Sequence, residues 1–128
     1  MDSLEQAIRE GLVSNKLPCA QAFAVAAAQR MDPIRIGEEA TRLGIRMCRC
    51  QLGLFGYEDQ GKKSIVQPAA SVSAGLQEAI RARLVDGRLT CLAAWDIAQE
   101  HGLPKLEVAN AVEGLKLRIS ACQLGCFA

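Results

Sequence analysis

Two short stretches decide how this chain is read: Cys50-Gln51-Leu52-Gly53-Leu54-Phe55 and Cys122-Gln123-Leu124-Gly125-Cys126-Phe127. They lie 72 positions apart, and each closes a longer segment that also occurs twice. Residues 4–56 align with residues 76–128 at that single offset without a gap. Identities include Leu4/Leu76, Ile8/Ile80, Leu12/Leu84, Cys19/Cys91, Ala26/Ala98 and Arg46/Arg118. Apolar exchanges such as Phe23/Trp95, Ile36/Val108 and Met47/Ile119 fill many of the gaps. A constant offset over this length implies one unit of roughly 53 residues used twice. Two copies are fewer than the three or so that a solenoid needs. A pair related by an approximate two-fold axis is the expected arrangement, by analogy with homodimers.

The domain plan follows. Residues 1–57 form a first unit, 58–74 a linker, and 75–128 a second unit. The linker reading rests on Glu58-Asp59-Gln60-Gly61-Lys62-Lys63 and Pro68-Ala69-Ala70-Ser71, where charge, Gly, Pro and small residues replace the apolar pattern.

Composition narrows the class. The chain has 128 residues, and 4% aromatic content leaves an aliphatic core. Lys and Arg number 15 against 14 Asp and Glu, so no global excess of charge draws the chain to nucleic acid or an anionic membrane. Any basic surface must be local. The start, Met1-Asp2-Ser3-Leu4-Glu5, lacks the basic residues and apolar run of a signal peptide. The apolar run at residues 22–28 is too short to span a bilayer. The expectation is a cytoplasmic protein, away from membranes, whose six Cys stay reduced.

Each unit reads as three helices. In the first, Leu4, Ile8 and Leu12 share one face, and Ser3 with Gln6 makes a capping-box pattern. Ser14-Asn15 and Asp86-Gly87 are turns. The second helix covers residues 19–29 or 91–101, with Pro18 in its first turn in one unit and Thr90 as N-cap in the other. The third follows at once, with Asp32 as N-cap and Pro33 first in the helix; Ile36, Ala40 and Leu43 correspond to Val108, Val112 and Leu115. Gly44 can end it in a left-handed conformation. Beyond it, Ile45-Arg46-Met47 and Leu117-Arg118-Ile119 alternate as a short strand does. The rival reading continues the third helix, because Leu43, Met47, Cys50 and Leu54 also keep helical spacing. The fold class is therefore mainly α: a tandem duplication of a three-helix unit, each copy closed by a short β-strand.

In the second copy Ala98, Gly102, Leu103 and Val108 fall on the spacing of a helix-turn-helix. The small Ala lets the helices approach, Gly permits the turn, and Leu and Val fill the space between. On these residues each unit resembles the helix-turn-helix superfamily, and three helices plus a strand resemble its winged-helix branch. The first copy departs from the pattern, with Arg30 where Gly102 stands. The resemblance implies a double-stranded DNA partner and a role in transcription regulation, with the third helix in the major groove. It assigns contacts to Arg35, Arg42 and Arg46 in the first copy, and to Lys105, Asn110, Lys116 and Arg118 in the second. Asn110 would pair with adenine, and Arg35 or Arg42 with guanine. Glu38, Glu39, Glu107 and Glu113 on the same helices oppose phosphate contact, which leaves a protein-interaction scaffold without DNA binding as the alternative.

The cysteines support a third reading, a metal or redox sensor. Cys48, Cys50, Cys122 and Cys126 would suit zinc or an iron–sulfur cluster if the two closing segments met. Neither pair has the common Cys-x2-Cys spacing, and a repeated Cys on an apolar face is more often a small buried hydrophobe. No cofactor is expected. No Gly-rich phosphate loop or Ser-His-acid set points to an enzyme, and His101 is the only histidine. Gln51 and Gln123, identical in both copies, are expected to hydrogen-bond across the approximate two-fold.

Overall fold

The computed structural model describes residues 3–128. The chain is mainly α-helical. The N-terminal half holds α1 (Ser3–Glu10), β1 (Leu17–Pro18), α2 (Cys19–Gln29), α3 (Pro33–Arg42) and β2 (Met47–Cys48). The C-terminal half holds α4 (Ala74–Ala82), β3 (Arg88–Thr90), α5 (Cys91–His101), α6 (Lys105–Gly114) and β4 (Arg118–Ser120). Helices α2 and α5 begin and end 72 positions apart, and so do α3 and α6. Among the described residues no helix is long and apolar enough to cross a membrane.

Local chemistry explains most boundaries. Ile8 is fully buried on the inner face of α1, while Arg9 and Glu5 pair at 2.9 Å on its outer face. Ser14 and Asn15, and Asp86 and Gly87, all have positive φ. Each pair makes the two-residue turn that suits a tight hairpin, closed by Val13–Lys16 and Val85–Arg88 bridges. Thr90 caps α5 as expected, its hydroxyl accepting from the Ala93 N–H at 3.1 Å. Asp32 precedes α3 but makes no side-chain cap; its carbonyl accepts from the Arg35 N–H instead. Pro18 sits just before α2, in β1, rather than inside the first turn. Ser3, expected as the N-cap, is the first residue of α1, and the position before it lies outside the described residues.

The strands fall one or two residues later than the alternation suggests, and their partners are new. β2 pairs in parallel with β1, Leu17 opposite Met47, and β4 with β3, Leu89 opposite Ile119. A parallel pair needs a long crossover, which the two intervening helices supply. The rival helical continuation does not occur: α3 stops at Arg42, and Gly44 turns the chain with φ 72°. Sequence periodicity could not show the pairing, because β1 is only two residues long and reads as the end of a turn.

Each closing segment then folds back on itself. Cys50 N–H donates to the Phe55 carbonyl and Gly53 N–H to the Cys50 carbonyl. Cys122, Phe127 and Gly125 repeat the same bonds. The leucine at each tip enters the opposite half. Leu52, fully buried, joins the C-terminal core of Leu76, Ile80, Leu89, Ile97, Val108 and Val112. Leu124 joins the N-terminal core of Ile8, Leu17, Ala22, Ala26, Ile36 and Ala40. The segments therefore close each other's units, where the sequence suggested that each closes its own. Burying one such leucine stabilises by about 1.5–3 kcal/mol, so the exchange ties the halves together.

Gly53 and Gly125, with φ 83° and 81°, sit against Leu106 and Ile34 respectively, and those two partners are again 72 apart. Phe23 meets its counterpart Trp95 at 4.5 Å between ring centroids, and Phe55 meets Phe127 edge-on at 6.4 Å. In both contacts a ring meets the residue that stands 72 positions from it.

The segment at 58–74 is docked rather than free. Ile65 N–H and the Ser64 hydroxyl both donate to the Gly53 carbonyl. Gln67 N–H donates to Asn110 Oδ1 at 2.8 Å, and Ala69 N–H to the Asn110 carbonyl at 2.9 Å. Val66 and Val72 pack on the C-terminal core. Composition suggested a flexible tether; isolated apolar residues and one asparagine hold it down.

Candidate functional site

Helices α3 and α6 carry the cationic residues that the sequence singles out, and the fold treats them differently. On α3, Arg35 and Arg42 are exposed, and Arg46 is exposed just beyond. Arg42 forks onto the Glu39 carboxylate. That hydrogen bond, first among the causes, holds the Glu39 carboxyl below its usual value. Arg49 pairs with Asp59 at 2.7 Å.

On α6 the outer face is roofed. Asn110 is half-buried beneath residues 67–69, and its amide oxygen already accepts from Gln67. A bidentate adenine contact needs that oxygen. A methyl on Gly114 would meet the Ala69 carbonyl oxygen at 2.5 Å, so the roof lies close to the helix. Lys105 stacks its ammonium over Trp95, 4.5 Å from the ring centroid. Lys116 and Arg118 are exposed beyond the helix, Lys116 with φ 61° where its counterpart is Gly44. Near the N-terminal ends of both helices, Ile34 and Leu106 lie against the opposite closing turns.

The four cysteines considered for metal are not brought together as one ligand set. Cys48 lies on β2, where Lys16, Arg49, Asp59 and Glu58 are the charged neighbours. Cys50 and Cys122 open the two closing turns and act on each other electrostatically, and Cys126 acts on Cys122 within the second turn. Cys19 and Cys91 join that group electrostatically. Among the described residues no three His, Cys, Asp or Glu are placed to hold a metal ion.

The glutamines bind thiols rather than each other. Gln51 Nε2 donates to Cys19 Sγ at 3.4 Å, and Gln123 Nε2 to Cys91 Sγ at 3.3 Å. Each bond ties a closing turn to the first residue of α2 or α5. Burial raises the Cys19 thiol to about 11 despite that bond, and raises Cys91 in the same direction. These are inert structural thiols. The signal was present in the sequence, since both the Cys and the Gln recur at the same offset, but nothing there joined one to the other.

Cys50 and Cys122 open matching turns, and in each the backbone N–H groups two, three and four positions ahead act to lower the thiol. Their surroundings differ. Cys50 is buried and its thiol is pushed up. Cys122 is half-buried and accepts from the Cys126 thiol, which pulls it down while Cys126 is pushed up. Cys126 is exposed and lines a cleft of about 440 Å3 with Thr41, Arg46, Met47 and Phe55.

The chain matches no protein-family model, no curated protein and no solved structure.

Proposed function

We propose that the chain is a tandem duplication of a helix-turn-helix unit of the winged-helix kind, and that it binds double-stranded DNA through α3 alone. The observation that carries this reading is the asymmetry of the two third helices. The outer face of α3 is open and carries Arg35 and Arg42, with Arg46 at its end. The corresponding face of α6 lies under residues 67–69, and Asn110 is committed to them. One reader per chain replaces the two half-sites about 34 Å apart that a symmetric pair would span.

On this reading Arg46 and Arg42 contact phosphates, and Arg35 is placed to read guanine in the major groove. Arg42 must exchange its Glu39 partner for phosphate, which favours binding at low salt. Two phosphate contacts give a slope of log K against log salt of about −2, far shallower than that of a large dimeric repressor.

A titration of duplex binding against salt tests the proposal. The expected result is binding at low salt with that shallow slope. Arg46→Ala should reduce the slope by about 1. Lys116→Ala, on the other half, should leave binding unchanged. No duplex binding at low salt refutes the reading and leaves the protein-interaction scaffold in its place.

A further inference from the structure

We propose that the angle between α3 and the second closing turn, bounded by Ile34, Glu38 and Gly125, docks an extended segment of a partner protein. That segment carries a hydroxyl residue followed by two β-branched apolar residues. The inference rests on matching contacts in the two halves and not on DNA binding, although it uses the same helix.

The chain itself shows what such an occupant looks like, because the corresponding angle on α6 is filled by residues 64–69. The Ser64 hydroxyl and Ile65 N–H donate to the Gly53 carbonyl, Gln67 N–H to Asn110 Oδ1, and Ala69 N–H to the Asn110 carbonyl. The N–H groups of 65, 67 and 69 thus all face the protein, which is the period of two that an extended chain gives. Pro68 reinforces that path, since a residue before proline is kept from the helical region. Around the position of a methyl on Gly53, Leu106 Cδ1 lies at 2.6 Å, Ile65 Cγ1 at 2.9 Å and Val66 Cγ2 at 3.5 Å. The segment therefore seats two β-branched side chains where the turn meets the helix. It covers both: Gly53 is buried, and Leu106 and Asn110 are half-buried.

The same angle on α3 is open. Ile34 Cδ1 lies 2.7 Å from the position of a methyl on Gly125, the contact that Leu106 makes with Gly53. Ile34 is 41% exposed, and Gly125 and Glu38 are exposed as well. Among the described residues none donates a hydrogen bond to the Gly125 carbonyl, whereas the Gly53 carbonyl takes two. Glu38 stands 72 positions before Asn110, and its carboxylate is a stronger acceptor for the backbone N–H that Asn110 Oδ1 takes.

One difference sets the length of the occupant. Ala69 approaches α6 at Gly114, where a methyl would meet its carbonyl oxygen at 2.5 Å. Arg42 stands at the corresponding position of α3, and its side chain forbids that approach. The docked segment must leave the helix after the residue that corresponds to Gln67. Four residues remain: the hydroxyl, the two apolar side chains and the N–H donor. Main-chain hydrogen bonds supply affinity in docking of this kind, and the alternate side chains set the register.

The test titrates the full chain, labelled for amide NMR, with an end-blocked synthetic peptide of its own residues 62–69, Lys-Lys-Ser-Ile-Val-Gln-Pro-Ala. The peptide is carried to millimolar concentration, because a free segment lacks the effective concentration that a short tether supplies. Saturable shifts at Ile34, Glu38 and Gly125 are expected. Ile34→Ser should weaken binding about tenfold through lost apolar contact. Glu38→Ala should weaken the peptide about tenfold, and should leave unaffected a peptide methylated on the Gln67 nitrogen, which has no N–H to donate. Both substitutions fall on exposed positions, and helical circular dichroism verifies that the variants are folded. No saturation at millimolar peptide overturns the groove. So do shifts confined to Gly53, Leu106 and Asn110, which would mean that the peptide only displaces residues 64–69. An equal effect of Glu38→Ala on both peptides overturns Glu38 as the acceptor. Failure of duplex binding leaves the groove standing, and failure of peptide binding leaves the DNA reading standing.

Discussion

Gly37→Ala is the sharpest perturbation the fold offers. Gly37 lies in the middle of α3, where intrinsic propensity favours alanine by about 1 kcal/mol. The tertiary structure opposes it. A methyl on Gly37 would overlap the carbonyl oxygen of Leu124 and come within 2.8 Å of its carbonyl carbon. Carbon contacts settle at about 3.5–4.0 Å, and the oxygen overlap is deeper than the carbon one, so the closing turn must retreat by more than about 1 Å. The obstacle is backbone, which cannot rotate aside as a side chain can. Overpacking of this kind costs about 1–3 kcal/mol. If the retreat also draws Leu124 from the N-terminal core, a further 1.5–3 kcal/mol or so is lost. After the propensity gain, a net destabilisation of about 0–2 kcal/mol is expected from overpacking alone, and of about 1.5–5 kcal/mol if Leu124 is withdrawn as well. Urea unfolding followed by Trp95 fluorescence and by helical circular dichroism measures it. Leu124→Ala alone should cost about 2–5 kcal/mol, and the double variant less than the sum, because both changes act on one contact. A Gly37→Ala protein more stable than the parent by the propensity term, or strict additivity with Leu124→Ala, would refute the exchanged-turn packing.

Two further outcomes follow from strain and burial. Arg30 ends α2 with φ 54°, where Gly102 ends α5, so Arg30→Gly should raise stability by about 1 kcal/mol in the same urea assay; a loss would mean that the Arg30 side chain makes a contact worth more than the strain. Alkaline pH should destabilise the fold through Cys19: its unfolded thiol titrates near 9.0 and its folded thiol near 11, so above the lower value the unfolded state binds fewer protons. Stability then falls by about 1.4 kcal/mol per pH unit between those values. Cys19→Ser should flatten that part of the stability profile, and parallel profiles for the two proteins would exclude the cause.

The sequence by itself determined the periodic elements. The 72-residue offset, the helical faces around Ile8, Ile36, Ile80 and Val108, the Thr90 cap and the turns at 14–15 and 86–87 all follow from local patterns. Those patterns are legible because a helix or turn records its constraints within a few residues of itself. The exposed arginines of α3 were legible for the same reason, since a polar face is the complement of an apolar one.

Only the tertiary structure decided what meets what. Leu52 and Leu124 are apolar wherever they pack, so nothing in their identity says that each enters the other half. Asn110 is as suited to a base edge as to the backbone of residues 67–69, and only the path of that segment selects the second. Gln51 reaches Cys19 across 32 positions because the parallel pairing of β1 with β2 brings the closing turn to the start of α2. Cys50 and Cys122 share one motif and matching turns, yet differ in burial and in a second sulfur four residues on. Burial belongs to the assembled chain. The repeated Cys-Gln-Leu-Gly therefore specifies a turn, while the surrounding packing buries the cysteine that opens one copy and leaves the other half-buried.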